Sequence, residues 1–149
     1  MIFFCYNLAM QIRVKKLDST MPDLGYAKPG DAGFDVYARE RTVLVPGVQT
    51  AVPTGISIEL PVGYVSLVWD KSGLAIRHGL KVLGGVIDAE YRGEYMVGMI
   101  NLSDKEYIFE KGDKVAQVLI QKVEHVTFEI VDELSETERG HTGFGSSGK

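Results

Sequence analysis

The sequence is short of cysteine, of basic charge and of long apolar runs, and each shortage removes a class of protein. A single cysteine, Cys5, in 149 residues cannot close an internal disulfide or furnish a multi-cysteine zinc site. A free thiol points to a reducing, intracellular setting. Lys and Arg number 16 against 20 Asp and Glu, a net charge of −4. A general nucleic-acid binder would carry a basic face, so no direct nucleic-acid partner is expected. A phosphate-bearing small molecule is still open to an acidic chain, held by a few local cations, backbone N–H groups and a divalent metal. The apolar run Ile2-Phe3-Phe4-Cys5-Tyr6 lacks a basic segment before it and is too short to cross a bilayer. Neither a signal peptide nor a membrane partner is expected, and the protein reads as soluble.

What is present is ordinary globular material, 45% hydrophobic and 24% charged, enough for one domain over residues 1–149. Within it, Met10 begins a cleaner alternating pattern, so residues 1–9 read as an N-terminal extension and 10–138 as a β core. Short apolar or alternating runs recur: Ile12 to Leu17, Thr42 to Val45, Gly55 to Leu60, Tyr64 to Trp69, Lys81 to Leu83, Tyr95 to Leu102, Tyr107 to Phe109, Val115 to Ile120 and Val126 to Val131. Their length, their Val, Ile and Tyr content and their Gly, Pro and Asp punctuation predict an all-β sandwich, jelly roll or barrel. One short helix is expected over Ser72 to Gly79, with Ser72 capping its first turn and Gly79 ending it. Residues 139–149, with four glycines and a lone aromatic, read as a flexible Gly-rich C-terminal arm.

The chemistry is expected at Gly84 through Glu94. Val82, Leu83, Val86 and Ile87 run in and Tyr95, Met96, Val97, Met99 and Ile100 run out, a hairpin outline closed by Gly93. Asp88, Tyr91 and Arg92 then share one turn. In the arm, residues 143–149 spell a phosphate-loop pattern, but the strand before it and the helix after it are missing. Glycine-rich backbone and the hydroxyls of Ser146 and Ser147 still suit phosphate oxygens, and Phe144 suits a flat base.

Five stretches then read as a set: Pro29 through Val36, Asp70 through Ala75, Gly85 through Gly93, Lys111 through Gln117, and Arg139 through Gly148. In order and spacing they resemble the five motifs of the trimeric deoxyuridine triphosphatases, or dUTPases. The resemblance implies a β jelly roll, a homotrimer with active sites at subunit interfaces, and magnesium-dependent (Mg2+) hydrolysis of dUTP to dUMP and pyrophosphate. It makes Asp88 the base that activates water and Gln117 a catalytic contact to water and phosphate. Asp35 would place metal-bound waters, and Lys71, Ser72 and Gly73 would contact phosphates. Gly85, Val86, Ile87 and Met96 would form the uracil mouth, with Tyr91 stacked on the sugar. Arg139 would reach the terminal phosphate, with Phe144 over the base and Gly145, Ser146 and Ser147 wrapping phosphate.

Two departures stand out. Asp70-Lys71-Ser72 replaces the family's usual Pro-Arg-Ser, exchanging a planar fork for a point charge and adding a carboxylate near the phosphates. His141-Thr142 replaces a commoner small pair. A dCTP deaminase of the same fold family and a nucleotide-switched regulatory protein are the alternatives. The intact Gly85 through Gly93 disfavours the first, and the retention of Asp88, Gln117 and the arm disfavours the second.

Overall fold

The computed structural model describes residues 10–141; the expectations for residues 1–9 and for Phe144, Gly145, Ser146 and Ser147 lie outside them. Eleven strands and one helix form in the order β1 (Arg13–Lys16), β2 (Phe34–Tyr37), β3 (Thr42–Leu44), β4 (Gln49–Pro53), β5 (Ile56–Glu59), β6 (Tyr64–Trp69), α1 (Ser72–His78), β7 (Leu80–Leu83), β8 (Val86–Asp88), β9 (Met96–Asn101), β10 (Tyr107–Phe109) and β11 (Lys114–Lys122). They pair as β2-β11-β6-β8, β4-β9-β7, β1-β5 and β3-β10, and every pair of strands is antiparallel. Period-two burial drives this: Phe34 and Val36 on β2, Val97 and Met99 on β9, and Val118 on β11 turn inward. With Leu44, Ile58, Tyr95 and Phe109 they form one core between the sheets. Among the described residues no helix is long and apolar enough to cross a membrane.

Most expected strands are found within a residue or two. Three were not expected. β2, β4 and β8 carry Asp35, a polar start with Pro53, and a three-residue span, and each is a strand only because a distant partner pairs with it. The expected strand Val126 to Val131 does not form within this chain: residues 123–141 carry no helix or strand, and Phe128 and Ile130 are 90% and 98% exposed. No strand among the described residues pairs with it. The expected Ser72 cap is also corrected. Lys71 occupies the N-cap, with no side-chain cap hydrogen bond, and Ser72 is already helical. The C-terminal expectation stands, since Gly79 is left-handed (φ 65°) and its N–H donates to the carbonyls of Ala75 and Leu74.

The hairpin around the expected site is real only at its base, where β7 pairs with β9 from Leu80↔Asn101 to Leu83↔Gly98. Beyond it the chain crosses to the other sheet, and β8 pairs with β6 instead. Gly85 makes the crossing possible. Its φ is +103°, and a Cβ there would stand 2.6 Å from the Val68 carbonyl oxygen, while its own carbonyl accepts the Val68 N–H at 2.7 Å. Gly84 is also left-handed (φ +73°) but has open space around it. Gly85→Ala is therefore expected to cost about 2 to 4 kcal/mol, combining backbone strain with a backbone clash. Gly84→Ala should cost about 1 to 2 kcal/mol. Urea denaturation of the two variants checks the difference.

Candidate active site

The β2-β11-β6 ladder gathers one group of expected residues. Gln117 pairs with Asp35 on one side and Trp69 on the other, and paired residues in an antiparallel sheet share a face. Asp35 is half-buried and each of its oxygens has a lysine partner: Lys71 Nζ donates to Oδ1, and Lys114 Nζ lies 2.7 Å from Oδ2. Burial pushes the Asp35 carboxyl up, but the hydrogen bonds from Lys114 and Lys71 outweigh it and hold the group below the usual carboxylate range. The same pairing raises Lys114. Gln117 is half-buried, and its Nε2 donates to the Asp70 carbonyl at 2.8 Å. Gly33 packs closely beside it, where an added Cβ would lie 3.0 Å from Leu119 Cδ1, 3.1 Å from the Val118 carbonyl oxygen and 3.4 Å from Gln117 Oε1. Ser72 and Gly73 follow Lys71 as exposed residues of the first turn of α1.

A second group lies around β8. Val86, Ile87, Asp88, Tyr91, Glu94 and Met96 line a cleft of about 230 Å³, below the span usual for a whole drug-sized ligand and sized for part of one. Asp88 is exposed, Val86 is 70% exposed and Ile87 packs toward the core. Tyr91 donates its hydroxyl to the Glu94 carbonyl at 3.0 Å, with its ring 6.3 Å from that of Tyr95. Gly93 serves here by absence, since a Cβ would fall 2.3 Å from the Tyr91 hydroxyl oxygen. It is a close-approach glycine. The carboxylate of Glu94 anchors the turn by accepting the Gly55 N–H at 2.7 Å and pairing with Arg39 at 3.0 Å.

One chain does not bring these groups together. Asp88 pairs with Val65 on one side of β6, and Gln117 pairs with Trp69 on the other. Four residues of extended strand span about 13 Å, and two strand spacings add about 9.5 Å across. Arg139 is exposed near the end of the described residues.

Sequence reasoning gave no role to Lys114, Glu94 or Arg39. On a regular strand Lys114 and Gln117 would face opposite ways. A bulge between Lys114 and Ala116 restores them to one face, and nothing in the local sequence announces it. Asp70, expected near the phosphates, turns its carboxylate to β7, where Oδ1 accepts the Val82 N–H and Oδ2 pairs with Lys81, both at 2.6 Å.

The architecture is the jelly roll of solved dUTPases. The Staphylococcus bacteriophage 80alpha dUTPase, solved with dUpNHpp, is 27% identical with a TM-score of 0.84, covering 93% of this chain and 99% of that one. A mutant dUTPase from phage phi11 of S. aureus, whose structure reveals the coordination of a structural Mg(II) ion, is 25% identical with a TM-score of 0.77, covering 83% and 98%. The chain belongs to the dUTPase family. Its residues 19–148 match the dUTPase profile, and it is 48% identical over 141 residues to the deoxyuridine 5'-triphosphate nucleotidohydrolase of Corynebacterium glutamicum, covering 93% of this chain and 95% of that protein.

The doubly paired Asp35 carries a stability consequence. Its carboxyl is held low in the folded protein, so its contribution is present above the ordinary carboxylate pKa and is lost as pH falls through the lowered value. Asp35→Asn should lose about 1 to 3 kcal/mol near neutral pH, the worth of hydrogen bonds to a charged group. The deficit should shrink progressively below about pH 4. Urea midpoints of parent and variant across that range test it.

Proposed function

We propose that the protein hydrolyses dUTP to dUMP and pyrophosphate. The observation that carries this is the exposed Asp88 carboxylate at the rim of a base-sized cleft, with Tyr91 on the same turn, in a chain of this family. Asp88 accepts a proton from water as the water oxygen attacks the α-phosphorus. The bond from that phosphorus to the bridging oxygen breaks, and pyrophosphate leaves. Tyr91 packs on the sugar, where a 2′-hydroxyl would find neither room nor a hydrogen-bond partner. Splayed backbone at Gly85, Val86 and Met96 reads uracil and rejects cytosine, whose amino group replaces an acceptor with a donor.

Lys71, Ser72, Gly73 and Arg139 bind phosphate oxygens. Lys71 then has two anionic partners to choose between, Asp35 and the phosphates. Among the described residues no group of three or more His, Cys, Asp or Glu is arranged to hold a metal. Asp35 fits as an outer partner: a carboxylate has about four acceptor sites, and the two lysine hydrogen bonds leave capacity for water. Magnesium, when bound with the triphosphate, would offset phosphate charge and polarise the phosphorus.

The same reading includes a homotrimer. The separation of the two groups within one chain supports a site to which a neighbouring copy contributes one of them. The outer sheet face also carries an apolar row, Leu119-Leu67-Val86, across β11, β6 and β8, and Val126, Phe128 and Ile130 await an edge outside their own chain.

Two measurements test this reading. Asp88→Asn keeps the shape but cannot accept the proton, so kcat for dUTP should fall by about 10² to 10⁴; a near-parental rate would remove Asp88 from the role, and pyrophosphate release from dCTP instead of dUTP would reject the substrate. Sedimentation of the parent should give a three-chain species. Phe128→Asp should shift it toward smaller ones, and a fully active monomer would contradict the shared site.

A further inference from the structure

Residue 70 sits where β6 ends and α1 begins, one residue before Lys71. Its carboxylate is 21% exposed and reaches across to the other sheet, where β7 is an edge strand. There Oδ1 accepts the Val82 N–H and Oδ2 pairs with Lys81, both at 2.6 Å. The backbone of the same residue faces the opposite way in function. Its carbonyl accepts Gln117 Nε2 at 2.8 Å, which fixes the side-chain amide and leaves Oε1 on the side of Gly33.

The geometry points to Asp70 as a positioning residue that locks the phosphate-contacting turn and the Gln117 amide to the β7 edge beside the uracil mouth. A proline at this position would restrict the turn through its fixed φ. Asp70 restrains it through two side-chain contacts, and Lys81 offsets the charge that would otherwise face the phosphates. The Val82 N–H contact anchors the turn in space. The Gln117 contact transmits that anchorage to a group that meets water and phosphate. A displacement of about 1 Å in such a group costs about 10²-fold in rate, so the clamp acts chiefly on kcat. A role in stability alone would leave the Gln117 amide and kcat where they are.

This inference rests on the dUTP reading, and its test separates the two. Full-length parent, Asp70→Asn and Asp70→Ala are assayed with dUTP and magnesium, and their nitrogen-proton correlation spectra are compared. Asn retains an acceptor for Val82 and should keep kcat and KM within about threefold of the parent. Ala should lower kcat by about 10- to 100-fold, shift the Gln117 side-chain amide and speed hydrogen exchange at Val82. Unchanged kcat or an unmoved Gln117 resonance in the folded Ala variant, or an Asn variant as slow as Ala, would overturn the proposal. If Ala does not fold, Asp70→Ser, whose hydroxyl is too short to keep the Val82 contact, takes its place: slow turnover with Gln117 displaced supports the clamp, and parental kinetics with Gln117 unmoved overturns it. The spectra need no turnover. A parent inactive on dUTP would therefore overturn the dUTP reading, while the Gln117 and Val82 signals would still decide for or against the clamp.

Discussion

The pairing of β6 on both edges is the constraint on which the site depends. Six register pairs run from Gln117↔Trp69 to Lys122↔Tyr64 on one side, and three from Val65↔Asp88 to Leu67↔Val86 on the other. The first ladder sets Gln117 beside the turn that carries Asp70 and Lys71. The second draws Val86 to Asp88 out of the β7-β9 hairpin and holds Asp88 at an exposed edge. A one-residue slip in either ladder would turn Gln117 or Asp88 to the opposite face. Core residues Val68 and Val118, paired with each other and buried, oppose such a slip with the hydrophobic cost of exposing them.

Electrostatics reinforce the arrangement at short range despite the net negative charge. Asp35 lies between Lys71 and Lys114, and Asp70 between Lys81 and the Val82 N–H. Each carboxylate is matched before a ligand arrives. Lys71, the partner of Asp35, offers a compact charge on a flexible stem, one that moves between partners more readily than a planar fork.

Much of this was legible in the sequence, because period-two runs and glycine punctuation are local signals. Tyr64–Trp69 and Tyr107–Phe109 are strands to the residue, and Gly79 ends α1 as expected. Long-range facts were not legible. The Phe34–Tyr37 strand is absent from the apolar and alternating runs read in the sequence and forms where β11 pairs with it, and the bulge that brings Lys114 round to Asp35 has no mark of its own. Gly93 was read as a turn former, yet its function is to leave space for the Tyr91 hydroxyl, a contact two residues away that no composition argument reaches. Val126 to Val131 has the pattern of a strand without a partner in its own chain.

That last segment has a consequence for colloidal behaviour. An apolar face of Val126, Phe128 and Ile130 on an unpaired extended backbone is the kind of surface that recruits indiscriminate β-stacking between molecules. Carboxylates punctuate it: Glu124 precedes it, Glu129 lies within it, and Asp132 and Glu133 follow. Like charges brought into register along stacked copies repel, whereas a single correctly matched edge leaves them pointing to water. The segment thus carries its own gatekeepers, discouraging open-ended stacking between copies of the chain.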